Sequence, residues 1–68
     1  MSNFDEAKAK DTADMMNENS ALEELGYHFD TMRVFGSTRW IVVAWYGGTY
    51  LRPFHTLQHA FEWVSRIA

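Results

Sequence analysis

The chain has no cysteine among its 68 residues, which excludes disulfides and thiolate metal sites. It has one proline, Pro53, and four glycines, Gly26, Gly36, Gly47 and Gly48, so each of these marks a boundary between elements. It lacks a long apolar run: the longest, Trp40 to Tyr46, is far too short to cross a bilayer. The start is acidic and polar rather than basic then apolar, so no signal peptide is expected and a cytoplasmic location is the default. Lysine is missing after Lys10, and acid is scarce after Asp30, where Glu62 stands alone. Residues 1–30 therefore carry eight acidic side chains against Lys8 and Lys10, a net −6. Residues 31–68 carry four arginines against Glu62, a net +3.

Aromatic residues are plentiful: three Trp, three Tyr and five Phe. A domain this small buries only about 60% of the surface its unfolded chain exposes. Eleven rings are hard to hide in it, so some are expected to meet a partner, another copy of the chain or a different protein.

The organising stretch is Trp40-Ile41-Val42-Val43-Ala44-Trp45-Tyr46-Gly47-Gly48-Thr49-Tyr50-Leu51. Two glycines between β-branched and aromatic residues predict a hairpin with a two-residue primed turn. In that register Tyr46 faces Thr49, Ala44 faces Leu51 and Val42 faces Pro53. One face then carries Trp40, Val42, Ala44, Tyr46 and Leu51, and the other Arg39, Ile41, Val43, Trp45, Tyr50 and Arg52. Both faces of this middle strand are apolar, and the sequence leaves open which one is core. Tyr27 to Phe35 reads as a preceding strand. If Gly36-Ser37 alone turns, Arg33 faces Trp40; if Thr38 joins the turn, Val34 does.

Residues 2–17 predict a helix with a thin apolar stripe of Phe4, Ala7, Met15 and Met16, opened by a capping box at Ser2 to Asp5. A break near 17–20 follows. Ser20 and Glu23 form a second capping box for a short helix that ends at Gly26. Thr56 is the expected N-cap of the last helix. Its stripe is Leu57, Ala60, Phe61, Val64, Ile67 and Ala68, with Trp63 flanking it. The expected fold is α+β, a three-stranded antiparallel meander with an N-terminal and a C-terminal helix in the order α-β-β-β-α. Residues 1–68 form one domain, with a loosely attached acidic helix over 1–19 as one option.

Catalysis finds little footing. His28 and Asp30 lie two apart on one side of a strand, where an acid can orient an imidazole, but no nucleophile accompanies them. His55, His59 and Glu62 have spacing that can hold zinc, yet His55 precedes the helix cap, and no metal or cofactor is expected. Gly47-Gly48 lacks the helix and Lys-Ser/Thr of a phosphate loop. The expected function is therefore non-catalytic protein binding.

Candidate contact residues are Arg39, Trp40, Trp45, Tyr46, Tyr50 and Arg52 on the sheet, types that dominate protein hot spots. Asp11, Asp14 and Glu18 form an acidic row at helical spacing that can mimic phosphates toward a nucleic-acid enzyme. Homodimerisation is expected through a bare sheet face or a strand edge. The alternative is a single-stranded nucleic-acid binder that uses the arginines and rings of one face. In its short, acidic, cysteine-free and aromatic-rich composition the chain resembles small phage-encoded proteins that bind and inhibit a host machine. That resemblance is one of style, without a shared motif, and implies a viral inhibitor acting in the host cytoplasm.

Overall fold

Two hairpins build one antiparallel sheet of three strands, β1 (Tyr27–Arg33), β2 (Trp40–Tyr46) and β3 (Thr49–Phe54), in the order β1-β2-β3. The computed structural model describes residues 4–67. Helices α1 (Glu6–Asn17) and α2 (Ser20–Leu25) precede the sheet and α3 (Leu57–Ile67) follows it, so the fold is α+β in the order α-β-β-β-α, with the first helical segment broken near 18–19.

The first hairpin pairs Arg33 with Trp40, the register expected for the shorter turn. The turn itself spans Val34 to Ser37: the Ser37 amide donates to the Val34 carbonyl at 3.1 Å, and Gly36 takes φ +73°. The strand thus ends at Arg33 and not at Phe35, because Phe35 is already inside the turn.

The outer edge of β1 is closed by a side chain. The Asn17 carboxamide accepts from the Phe29 amide and donates to the Phe29 carbonyl, both at 2.8 Å. The backbone groups of Phe29 therefore point away from β2. By alternation, His28, Asp30 and Met32 make the ladder bonds to Trp45, Val43 and Ile41, and Ala44, Val42 and Trp40 present theirs toward β3. The Trp40 amide, which lies beyond the end of β3, donates to the Phe4 carbonyl at 3.1 Å.

The second hairpin turns on Gly47 and Gly48 at φ +57° and +85°, as a two-residue primed turn requires. Tyr46 faces Thr49 and Trp45 faces Tyr50. The expected register then fails. Ala44 pairs with Arg52 instead of Leu51, and Val42 with Phe54 instead of Pro53, because Leu51 is the extra residue of a bulge. The physical reason is Pro53. Opposite Val42 it would have to supply a ladder N–H that proline lacks; the bulge moves it opposite Val43, facing outward. One inserted residue flips every side chain beyond it, so Arg52 and Phe54 join the face of Ala44 and Val42.

That face is the core. Phe29, Val42, Ala44 and Phe54 pack with Ala9, Ala13 and Met16 of α1, Leu22 of α2, and Ala60 and Trp63 of α3, with Phe4 alongside. All three helices thus cover one side of the sheet. α1 buries Ala9, Thr12, Ala13 and Met16, while Ala7 and Met15 of the expected stripe are exposed. The alanines leave no side chain to hold the helix away from the sheet. The expected Ser2 cap lies outside the described residues; the described helix is capped by Asp5, whose carboxylate accepts from the Lys8 amide at 2.8 Å. α2 is capped by Asn19 and not Ser20, with Asn19 accepting from the Ala21 and Leu22 amides. It ends at Gly26, φ +99°, as expected.

Thr56 accepts from the His59 amide at the start of α3. The buried arc there is centred on Ala60 and Trp63, with Leu57 and Val64 half-buried, and Phe61 is exposed. Trp63 is therefore the centre of the helix's contact and not its flank. Its ring lies 4.9 Å from Tyr27, 5.9 Å from Phe29 and 5.4 Å from Phe54, spanning β1 and β3. Ala44, the small residue between Phe29 and Arg52 in the ladder, leaves the room for that span.

Candidate functional site

Among the described residues every helix is on one side, and the other side of the sheet has no layer over it. Alternation places His28, Asp30 and Met32 of β1, Ile41, Val43 and Trp45 of β2, and Tyr50 and Pro53 of β3 on this bare face. Its centre is dry without a cover: Val43 is only 4% exposed, walled by its neighbours on three strands. Around it Met32 and Tyr50 are half-exposed, and Ile41, Trp45 and Pro53 are partly buried. Trp45 and Tyr50 meet edge to face, ring centres 5.7 Å apart at 81°, a preferred aromatic geometry that holds both rings in place.

The sequence candidates therefore separate. Trp45 and Tyr50 stand on the bare face. Trp40 is half-buried on the helix side against the core. Tyr46 is also on the helix side, its ring 4.9 Å from Tyr27. Arg52 was expected beside Trp45 and Tyr50; the bulge turns it to the helix side, where its guanidinium lies 4.8 Å from the centre of the Phe54 ring. Arg39 is exposed near the first turn, its amide donating to the Ser37 hydroxyl at 3.0 Å. The four residues predicted to share a face thus do not.

Asp11, Asp14 and Glu18 are all exposed along α1. Among the described residues the ion pair is Lys10 with Glu6, at 3.3 Å, and it leaves these three carboxylates unmatched. They project from α1, and Asp14 lines one depression with Asn17, His28 and Asp30 at the outer edge of β1. His28 and Asp30 sit at the edge of the bare face, where an Asp30 carboxylate oxygen accepts from the Thr31 amide at 2.8 Å. His55 and His59 line different depressions: His55 with Val34, Arg39 and Trp40, His59 with Arg52, Glu62, Trp63 and Arg66. Among the described residues no three His, Asp or Glu side chains gather as a metal site would need.

Phe35 was not singled out from the sequence as a contact residue. It is 101% exposed at the tip of the first hairpin. An aromatic immediately before Gly36-Ser37 was the available signal, since a ring inside a turn has nothing to pack on. No helix among the described residues is long and apolar enough to cross a membrane. No family model, curated protein or solved structure matches the chain.

Proposed function

We propose that this chain is a non-catalytic protein-binding module that presents the bare face of its sheet to another protein. The observation that carries the reading is the Trp45–Tyr50 pair, fixed edge to face on a side with no helix over it. Aromatic anchors around a dry centre are the usual composition of an interface hot spot. Inhibition of the partner by occupying its surface needs no chemistry beyond this. The acidic row Asp11, Asp14 and Glu18 offers a second surface along α1.

Size sets the strength. Three strands spaced about 4.8 Å apart, each about six residues long, give a face of roughly 14 by 20 Å. That is well under the roughly 800 Å² per partner of a stable complex. A second copy stacked face to face would be held weakly. A tight partner must reach past the face to Phe35 and Leu51, both exposed at its margins.

The pair would also stack on bases, but Arg52 is turned to the other side and Asp30 adds a carboxylate to this one, so a protein partner has more support. Wild type and Tyr50→Ser, both checked for fold by circular dichroism, are compared in pull-downs from cell lysate. Partners held by wild type should be lost with Tyr50→Ser; retention of all of them moves the site off this face. Sedimentation should show weak, concentration-dependent self-association, and a strict monomer at high concentration refutes that part. A shifted oligonucleotide at low salt, released as salt rises, would favour the nucleic-acid reading instead.

A further inference from the structure

On the helix side, at the edge formed by β3 and α3, a cleft of about 150 Å³ is lined by Arg52, His59, Glu62, Trp63 and Arg66. It is separate from the bare face, and the reading of that face does not account for it. Three of its five lining side chains carry guanidinium or imidazole nitrogens. Arg52 is held in place by the Phe54 ring below it, at 4.8 Å, which limits the entropy lost when it grips a ligand. His59, Glu62 and Arg66 lie within two turns of α3 and so project toward the same end of the strand. Glu62 lines the same cleft and offsets part of this charge, but among the described residues no ion pair within 4.0 Å ties it to either arginine. Both guanidiniums thus keep donors for a ligand, in a chain whose other half is strongly acidic.

The donors decide the ligand. Two planar forks plus an imidazole offer more donors than the two oxygens of a carboxylate can accept, whereas a tetrahedral phosphate can use them. We propose that Arg52, His59 and Arg66 form a phosphate-binding site, for inorganic phosphate or a phosphomonoester, with Glu62 as its built-in competitor.

The test uses the full chain at constant ionic strength, with phosphate replacing chloride. The side-chain Nε–H signals of Arg52 and Arg66 and the indole N–H of Trp63 are followed by NMR. Saturable shifts of these signals are expected. Arg52→Gln and Arg66→Gln should each weaken binding about tenfold, the scale of one charge-assisted hydrogen bond. Glu62→Gln should tighten it. A short phosphoserine peptide binding tighter than inorganic phosphate identifies a phosphomonoester as the ligand; equal affinities identify phosphate itself. Shifts that never saturate, or that persist unchanged in the folded Arg52→Gln/Arg66→Gln double variant, overturn the proposal. Because Arg52 and Arg66 are exposed and the bare face is untouched, neither result bears on partner binding through Trp45 and Tyr50.

Discussion

Replacing Asn17 by Ala should lower stability more than any other change at an incompletely buried polar residue in this chain. Asn17 is the last residue of α1, and its carboxamide makes two 2.8 Å bonds to one residue of β1, the amide and carbonyl of Phe29. Each such bond has a net worth of about 1 kcal/mol. The two together give about 2 kcal/mol, and the partly buried site prevents water from replacing them fully. Alanine recovers roughly 0.5 kcal/mol of helix propensity over asparagine. The net loss is then about 1.5 kcal/mol, against a total of roughly 3 to 10 kcal/mol for a domain of this length. In a domain this small that corresponds to a fall in Tm of about 6–12 °C. Urea and thermal unfolding followed by far-UV circular dichroism measure it. Asn17→Asp is the informative companion. It keeps an acceptor for the Phe29 amide but sets a carboxylate oxygen against the Phe29 carbonyl, so it should be at least as destabilising as alanine. Hydrogen exchange at the Phe29 amide should speed up in both. An alanine variant as stable as wild type, with Phe29 protection unchanged, would refute the clasp.

Trp63→Ala removes the ring that touches β1 and β3 together, a loss of about 3–5 kcal/mol that should at least double the fall in urea midpoint seen for Asn17→Ala. Phe61→Glu, two residues away but 52% exposed, should change stability by less than about 0.5 kcal/mol in the same urea assay. Gly26→Ala should cost about 1 kcal/mol net: the left-handed backbone penalises a Cβ by about 1–2 kcal/mol, and the stiffer unfolded chain returns part of it. A Cβ there would sit 3.7 Å from the Tyr46 ring, an ordinary contact, so the cost of Gly26→Ala comes from the backbone and not from a clash.

The elements that were legible in the sequence are those set by local chemistry. Gly47-Gly48 dictates its turn, Thr56 its cap, and Gly26 its helix end, because each needs only its neighbours to act. What was illegible depends on contacts far along the chain. Asn17 reaches Phe29 twelve residues away, and no spacing rule points to that. The bulge at Leu51 lies in Thr49 to Arg52, where Tyr50 and Leu51 are adjacent apolar residues and no alternation fixes the faces; only Pro53 hints that the even register cannot continue. The spacing puts Phe61 in the apolar stripe of α3 and Trp63 at its flank, but which one is buried depends on where the helix sits over the sheet. The core face was undecidable for a related reason. Val42 and Ala44 are no more apolar than Ile41, Val43 and Trp45, and it is the placement of Phe29 and Phe54 that selects them. Among the candidate contact residues this had a direct effect: Trp45 and Tyr50 remained together, while Arg52 was carried to the other side by a single inserted residue.

The treatment of the sheet's edges bears on how the molecule can meet others. A three-stranded sheet has two edge strands, each offering backbone groups to any passing strand. On β1, Asn17 occupies both backbone groups of Phe29, and the Asp30 carboxylate occupies the Thr31 amide. On β3, Pro53 has no N–H to offer and the bulge at Leu51 breaks the repeat. Both edges are thus poor templates for strand addition. The bare face has no comparable protection: no lysine or glutamate stands among its central residues, and its only acid, Asp30, is at the margin and turned to its own backbone. A chain shaped only to avoid contact would place charge on that face as well as blocking the edges. Blocked edges with an apolar face disfavour backbone pairing and leave contact through side chains, which is what the proposed binding surface would use.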